Sequence, residues 1–376
     1  MVNWQDEQVF WEASEFFFHL IDDVNSAKSS VVLETFIFDF DAVGHRVVNA
    51  LVAAAKRGVN VRVLVDGIGS YESSATLVDY LTAGGVDVRI YHPVPWDFSV
   101  YKWARISSIK YLKLPYFMSQ INKRDHRKLC LVDNSVAWVG SFNMSSKHLG
   151  EGALGSVQER EGWNDLAARV CGDAVVDLCQ DFENIWYRRK QGGVLSRARL
   201  YFTNRSLALR REKIKNLISF IDKAEQSICI ANAYFSPPRS LMKALVSASR
   251  RGVSIRVLVP GKSDVIFFPS LSRTYYADLL RSGLRIFEYR KKILHAKYWI
   301  IDDLVIVGST NLNYRSVLHD LELDVLLRSP KSLQSLEGHF QADLRASVEI
   351  TPQNLRAFSG VFPVFGWLSR FLRYWM

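Results

Sequence analysis

The chain contains itself twice. "AKRGVNVRVLVDG" at 55–67 returns as "SRRGVSIRVLVPG" at 249–261. Self-similarity at about half a chain length restricts the fold strongly, because whatever unit the first copy builds the second must build too. Each copy reads as the end of an amphipathic helix, a glycine C-cap and a buried strand of parallel type. Upstream lie "SSVVLETFIFDF" and "QSICIANAYFSP", and downstream "GVDVRIYHP" and "GLRIFEYRK". Strands alternating with helices predict an α/β fold, a mixed sheet flanked by helices, made twice. The 376 residues suffice for two cores. The expected division is 1–195 and 196–350, joined near the glycines and charges of "YRRKQGGVLSRAR", with a C-terminal extension over 351–376.

The copies share a second pattern, "HRKLCLVDNSVAWVGSFN" from His126 and "HAKYWIIDDLVIVGSTN" from His295. Residues i and i+2 of a strand share a face, so His126 and Lys128 point one way, as do His295 and Lys297. The apolar residues around them can be buried. Asp133-Asn134 and Asp302-Asp303 then suit tight turns, with the second hairpin one residue shorter. Gly-Ser-x-Asn follows, ending at Asn143 and Asn311, and is expected to open a helix whose free N–H groups favour an anion. Each half thus gathers His, Lys and Asn around one point, as a phosphate group requires. A single His-x-Lys-x4-Asp is a weak signal; two extended copies at matching places are a strong one.

Charge agrees. The formal net charge is +10, so an anionic partner is expected: nucleic acid, an acidic membrane surface or a phosphorylated substrate. Between Tyr91 and His126 the first half carries an insert, 92–122, that the second lacks. It interleaves Trp96, Trp103, Tyr116 and Phe117 with lysines and arginines. Three readings stay open for it: a helix packed on its own domain, an arm entering anionic headgroups, or a platform for stacked bases. The C-terminal stretch with Trp367 and Phe371 is broken by Pro363 and carries Arg370 and Arg373, an interfacial rather than a spanning pattern. The N-terminus has no secretory-signal pattern. Four cysteines without a C-x-x-C pair read as buried free thiols of a reducing compartment.

The two His-Lys-Asn stretches resemble the paired signature motifs of the phospholipase D superfamily. "LETFIF", "AAAKRGVNVRVLVDGIGS" and "NAYFSPP" look most like bacterial cardiolipin synthases of the branch without N-terminal transmembrane helices. The resemblance implies two similar domains related by a pseudo-two-fold axis and sharing one active site. It implies a histidine nucleophile, assigned to His126, and a histidine acid/base, assigned to His295. Lys128, Lys297, Asn143 and Asn311 are expected on the non-bridging phosphate oxygens, with Ser141 and Ser309 as second donors. The family pattern gives each histidine an orienting carboxylate, from Asp165 and Glu322. Asp133 and Asp302 are expected to hold turns or the lysines. No metal or cofactor is called for.

By the same resemblance the expected reaction moves a phosphatidyl group between two phosphatidylglycerol molecules and releases glycerol. The partners would be phosphatidylglycerol, cardiolipin and the membrane surface, with no nucleic acid, at the cytoplasmic face of the inner membrane. A water-using phospholipase or nuclease of the superfamily, and a catalytically silent lipid-binding module, are the alternatives. The remaining histidines, His19, His45, His92, His148, His319 and His339, read as surface or core residues.

Overall fold

The computed structural model describes residues 3–94, 123–150, 162–189 and 200–357. Each half builds one mixed sheet. The first has seven strands in the order β1 (Asp6–Phe10), β7 (Ala167–Cys171), β6 (Val136–Gly140), β5 (Leu129–Val132), β2 (Ser30–Thr35), β3 (Asn60–Asp66) and β4 (Asp87–Tyr91). The second has eight, in the order β15 (Ser347–Ile350), β11 (Arg285–Tyr289), β10 (Ser254–Pro260), β9 (Ser227–Asn232), β12 (Lys297–Ile301), β13 (Leu304–Gly308), β14 (Leu323–Leu327) and β8 (Tyr201–Thr203). In both sheets the repeat forms the parallel part, β2-β3-β4 and β9-β10-β11. The histidine motifs form the antiparallel hairpins beside it.

Alternation along these strands decides the layering. In β5, Cys130 and Val132 face a core made with helices α1 (Ala13–Ser26), α2 (Ala42–Lys56) and α3 (Ser74–Ala83). Leu129 and Leu131 face the opposite way, into a core shared by the two halves. In β12, Trp299 and Ile301 face the second half's outer helices while Tyr298 and Ile300 enter the shared core. A strand buried on both faces reads as a continuous apolar run, which explains why neither stretch shows polar alternation. Two helices, α4 (Val175–Trp186) and α9 (Pro330–Arg345), contribute Phe182, Trp186, Leu336 and Phe340 to the shared core. The other helices of the second half are α5 (Leu207–Lys223), α6 (Arg239–Arg250), α7 (Phe268–Arg281) and α8 (Tyr314–Leu318). The extension after 350 begins with α10 (Pro352–Ala357) packed on α7.

The unequal hairpins differ only in their turns. Val132 pairs with Val136, enclosing three residues, whereas Ile301 pairs with Leu304, enclosing two. Asp133, Asn134 and Asp302 take positive φ, of 50°, 55° and 49°. Asp133 accepts backbone N–H bonds from Lys28, Ser29 and Ser30, and Asp302 accepts them from Glu225, Gln226 and Ser227. Each aspartate therefore ties its hairpin to the start of the neighbouring strand, β2 or β9. Past the turn the register recovers, Leu129 opposite Val139 and Tyr298 opposite Val307.

The halves are joined by backbone as well as by apolar contact. Asp125 bridges Leu321 and Asn164 bridges Leu294, each pair crossing between halves. Arg127, on the face opposite His126 and Lys128, enters the interface. Its guanidinium binds Glu34 of β2 through Nε at 2.9 Å and Asp181 of α4 through Nη1 at 2.5 Å. Arg205 of the second half binds the same Asp181 at 2.8 Å. Glu34 is 0% exposed, so removing the arginine strands one buried carboxylate and leaves Asp181 to Arg205 and Thr203. Arg127→Ala is expected to lower unfolding free energy by about 3–5 kcal/mol, read as a lower urea midpoint. An unchanged midpoint would show that the cluster is not structural.

Candidate active site

Neither motif histidine lies in the strand proper. β5 begins at Leu129 and β12 at Lys297, so both histidines sit in the extended segment just before. Their backbone N–H groups leave the ladder for the other half: His126 N–H donates to Leu321 O at 3.0 Å, and His295 N–H to Asn164 O at 2.8 Å. The residue next to each acceptor carries a carboxylate, and the backbone bridge delivers it to the imidazole. His126 Nδ1 lies 3.2 Å from Glu322 Oε2, and His295 Nδ1 lies 2.7 Å from Asp165 Oδ1. Each histidine is thus oriented by the opposite half. A carboxylate can only accept, so Nδ1 of each neutral ring is the donor and Nε2 carries the lone pair.

All four partners are buried, with His126 8%, His295 4% and both carboxylates 0% exposed. Burial pushes the His126 pKa well below its ordinary value, and the charges of Lys128, Lys297 and His295 push the same way. Burial also lowers His295, but Asp165 counteracts it. Burial raises Asp165, yet the rings of His295 and His148 and their hydrogen bonds bring it well below the usual carboxylate range. Burial likewise raises Glu322, opposed by Lys128 and Ser309, and there the upward shift remains. His126 is therefore the more readily neutral imidazole, and His295 is backed by the more firmly ionised carboxylate.

The lysines fold back over the histidines. Lys128 Nζ donates to His126 O at 2.7 Å, and Lys297 Nζ to His295 O. Burial brings Lys128 down to about 7, helped by Lys297, and burial brings Lys297 down to about 8. Asn143 Oδ1 accepts Ile37 N–H at 3.2 Å, which leaves its –NH2 end to donate to an anion. Asn311 is buried with an unpartnered Oδ1. Phe36 lies edge-on to His126 at 5.0 Å, and Trp163 lies 5.2 Å from His295, so aromatic rings wall both imidazoles.

Several expectations require correction. Ser141 and Ser309 do not offer free hydroxyls. Ser141 Oγ exchanges hydrogen bonds with Leu166, accepting from N at 3.0 Å, while Ser309 Oγ binds Glu322 and accepts Leu323 N–H at 3.1 Å. The helix expected after Asn143 is one 3₁₀ turn, Ser146–His148, and that after Asn311 is the short α8. One early amide of each is already taken, Lys147 N–H by Ser145 and Ser316 N–H by Asn313. An anion would meet lysine and asparagine donors there. Cys171 and Cys179 are only partly buried, whereas Cys130 and Cys229 are buried; all four are free.

His148 is the residue the sequence reading missed. It is buried, with Nδ1 2.7 Å from Asp165 Oδ2 and Nε2 accepting Asn143 N–H at 3.0 Å. The available signal was its position within the motif loop: aligning Asn143 with Asn311 sets it opposite Ser316. Trp96, Trp103, Tyr116 and Phe117 of the insert, and Trp367 and Phe371 of the tail, lie outside the described residues.

The family model described as cardiolipin synthase, PLD-like domain, matches residues 20–159 and 217–344. Cardiolipin synthase B of Salmonella typhimurium is 31% identical over 89% of this chain and 79% of its own length. A cardiolipin synthase of Alkalihalophilus pseudofirmus is 29% identical over 92% of this chain and 67% of its own. Among solved structures, phosphatidylserine synthase of Haemophilus influenzae superposes with a TM-score of 0.69 at 12% identity, covering 98% of this chain and 95% of that one, a likeness of fold. Among the described residues no helix is long and apolar enough to cross a membrane.

The lysine shifts set a pH dependence. Inorganic phosphate needs the charged ammonium groups, which in the free protein lose their protons as pH rises through about 7 to 8. Phosphate affinity measured by calorimetry is expected to fall about tenfold or more between pH 6.5 and 9. Lys297→Met should already be weak at pH 6.5, and an affinity independent of both would remove the lysines from the anion site. The family model matches both halves and the curated relatives run over most of the chain: it belongs to the cardiolipin synthase family of phospholipase D-like enzymes.

Proposed function

We propose that the chain transfers a phosphatidyl group from one phosphatidylglycerol to the free glycerol hydroxyl of another, making cardiolipin and glycerol through a phosphohistidine. The observation that carries this reading is the crossed pairing His126–Glu322 and His295–Asp165, with the two histidines differently poised. Two imidazoles on opposite sides of one ester can divide nucleophile and acid between them.

Neutral His126 attacks phosphorus through Nε2, forming the P–N bond as the P–O bond to the leaving glycerol breaks. His295, protonated, gives its Nε2 proton to that oxygen and becomes neutral. The hydroxyl of a second phosphatidylglycerol then passes its proton to His295 and attacks phosphorus, expelling His126. No proton is gained or lost overall. Lys128 and Lys297 meet the non-bridging oxygens, whose charge grows in the transition state, and Asn143 and Asn311 complete that cradle. The sequence charge of +10 suits work on an anionic leaflet, as a peripheral protein of the cytoplasmic membrane face. The aromatic insert and tail are its proposed membrane contacts.

Purified protein with phosphatidylglycerol vesicles should give cardiolipin and glycerol in equal amounts. Phosphatidic acid as the main product would make the enzyme a hydrolase, and cleavage of plasmid DNA without lipid turnover would make it a nuclease. His126→Ala should lower kcat by about 10³-fold or more with the melting temperature unchanged. His295→Ala should lower it similarly yet still trap a phosphorylated His126, visible by mass spectrometry, when the leaving group is p-nitrophenol. An adduct on His295 in His126→Ala would reverse the assignment.

A further inference from the structure

The carboxylates behind the two imidazoles are held differently, and one residue makes the difference. Glu322 is held by hydroxyls, those of Ser309 and Ser316. Asp165 has an imidazole on each oxygen: His295 Nδ1 on Oδ1 and His148 Nδ1 on Oδ2, both at 2.7 Å. The tautomer of His148 follows from its other nitrogen. Nε2 accepts the Asn143 N–H at 3.0 Å, and a ring nitrogen that accepts carries no proton. The His148 proton is therefore on Nδ1, donated to Asp165.

A carboxylate bound this way cannot rotate without breaking one of two buried bonds, and each unmade bond there is costly. Its remaining oxygen is aimed at His295. The His148 ring is itself fixed, edge-on to Phe142 at 5.4 Å and to Trp163 at 5.5 Å. Ser316, at the matching place in the second half, serves Glu322 with a hydroxyl, which rotates, in place of a ring whose tautomer is fixed.

We propose that His148 is a positioning residue for leaving-group protonation: through Asp165 it sets the ring of His295 and makes that histidine the acid/base. The proposal rests on the phosphodiester-transfer reading above. It predicts a defect confined to steps in which the departing oxygen needs a proton.

The test uses the full chain and two short-chain, soluble phosphatidyl esters, one leaving as glycerol and one as p-nitrophenolate, which departs without a proton. Single-turnover rates of formation of the covalent adduct are compared. His148→Phe should lose about 10²-fold with the glycerol ester and remain within about threefold of wild type with the p-nitrophenyl ester. His148→Asn, whose –NH2 can replace the Nδ1 donor, should restore at least tenfold of that loss. Should His148→Phe fail to fold, His148→Met keeps a weak thioether acceptor for Asn143 and has no donor for Asp165; it should show the same selective defect. Equal loss on both esters in a folded variant, or no loss on either, overturns the role of His148 alone. A wild-type enzyme inactive on both esters overturns the phosphodiester reading and this proposal with it.

Discussion

Everything in the site depends on two backbone bridges that cross between the halves. Asp125–Leu321 and Asn164–Leu294 are short, yet each places a carboxylate-bearing residue beside the other half's histidine. The bonds His126–Glu322 and His295–Asp165 follow from them. Neither half alone pairs its own motif histidine, His126 or His295, with the carboxylate that orients it. Duplication thus supplied two similar units, and the interface between them supplied the orientation.

That interface buries much charge. Two histidines, two lysines and two carboxylates lie almost wholly out of solvent, and isolated charges in such surroundings are expensive. The pressure shows in lysines brought down to about 7 and 8 and in a Glu322 raised by its burial. A phosphate group entering between the lysines would relieve it, so part of the cost of burial returns as affinity for the anion. Arg127, between His126 and Lys128 but on the other face, anchors the frame through Glu34 and Asp181. Ala296 stands at the matching position of the second half, so the halves share a scaffold and differ in how it is held.

Much of this was legible in the sequence because the repeat is. The glycine C-caps, the apolar runs and the two motifs gave the sheets, the hairpins and the His, Lys and Asn set. That Asp165 and Glu322 each serve a histidine came through the family resemblance; that they cross between the halves did not, since residues as far apart as His126 and Glu322 meet only through backbone bridges that leave no periodic signature. Ser141 and Ser309 misled because a hydroxyl near a motif says nothing of what its neighbours' backbone requires; both are consumed by the strand that follows. His148 was hidden for a related reason. Its partner Asp165 lies 17 positions along the chain, and its role depends on which of its nitrogens accepts.

A crystal structure with vanadate bound tests the shared site most directly, because vanadate takes the five-coordinate shape of phosphoryl transfer. One vanadate per chain is expected, bonded to His126 Nε2, with an opposite axial oxygen within hydrogen-bond reach of His295 Nε2 and equatorial oxygens on Lys128 and Lys297. Two vanadates, one in each half and each ignoring the other's histidine, would contradict it.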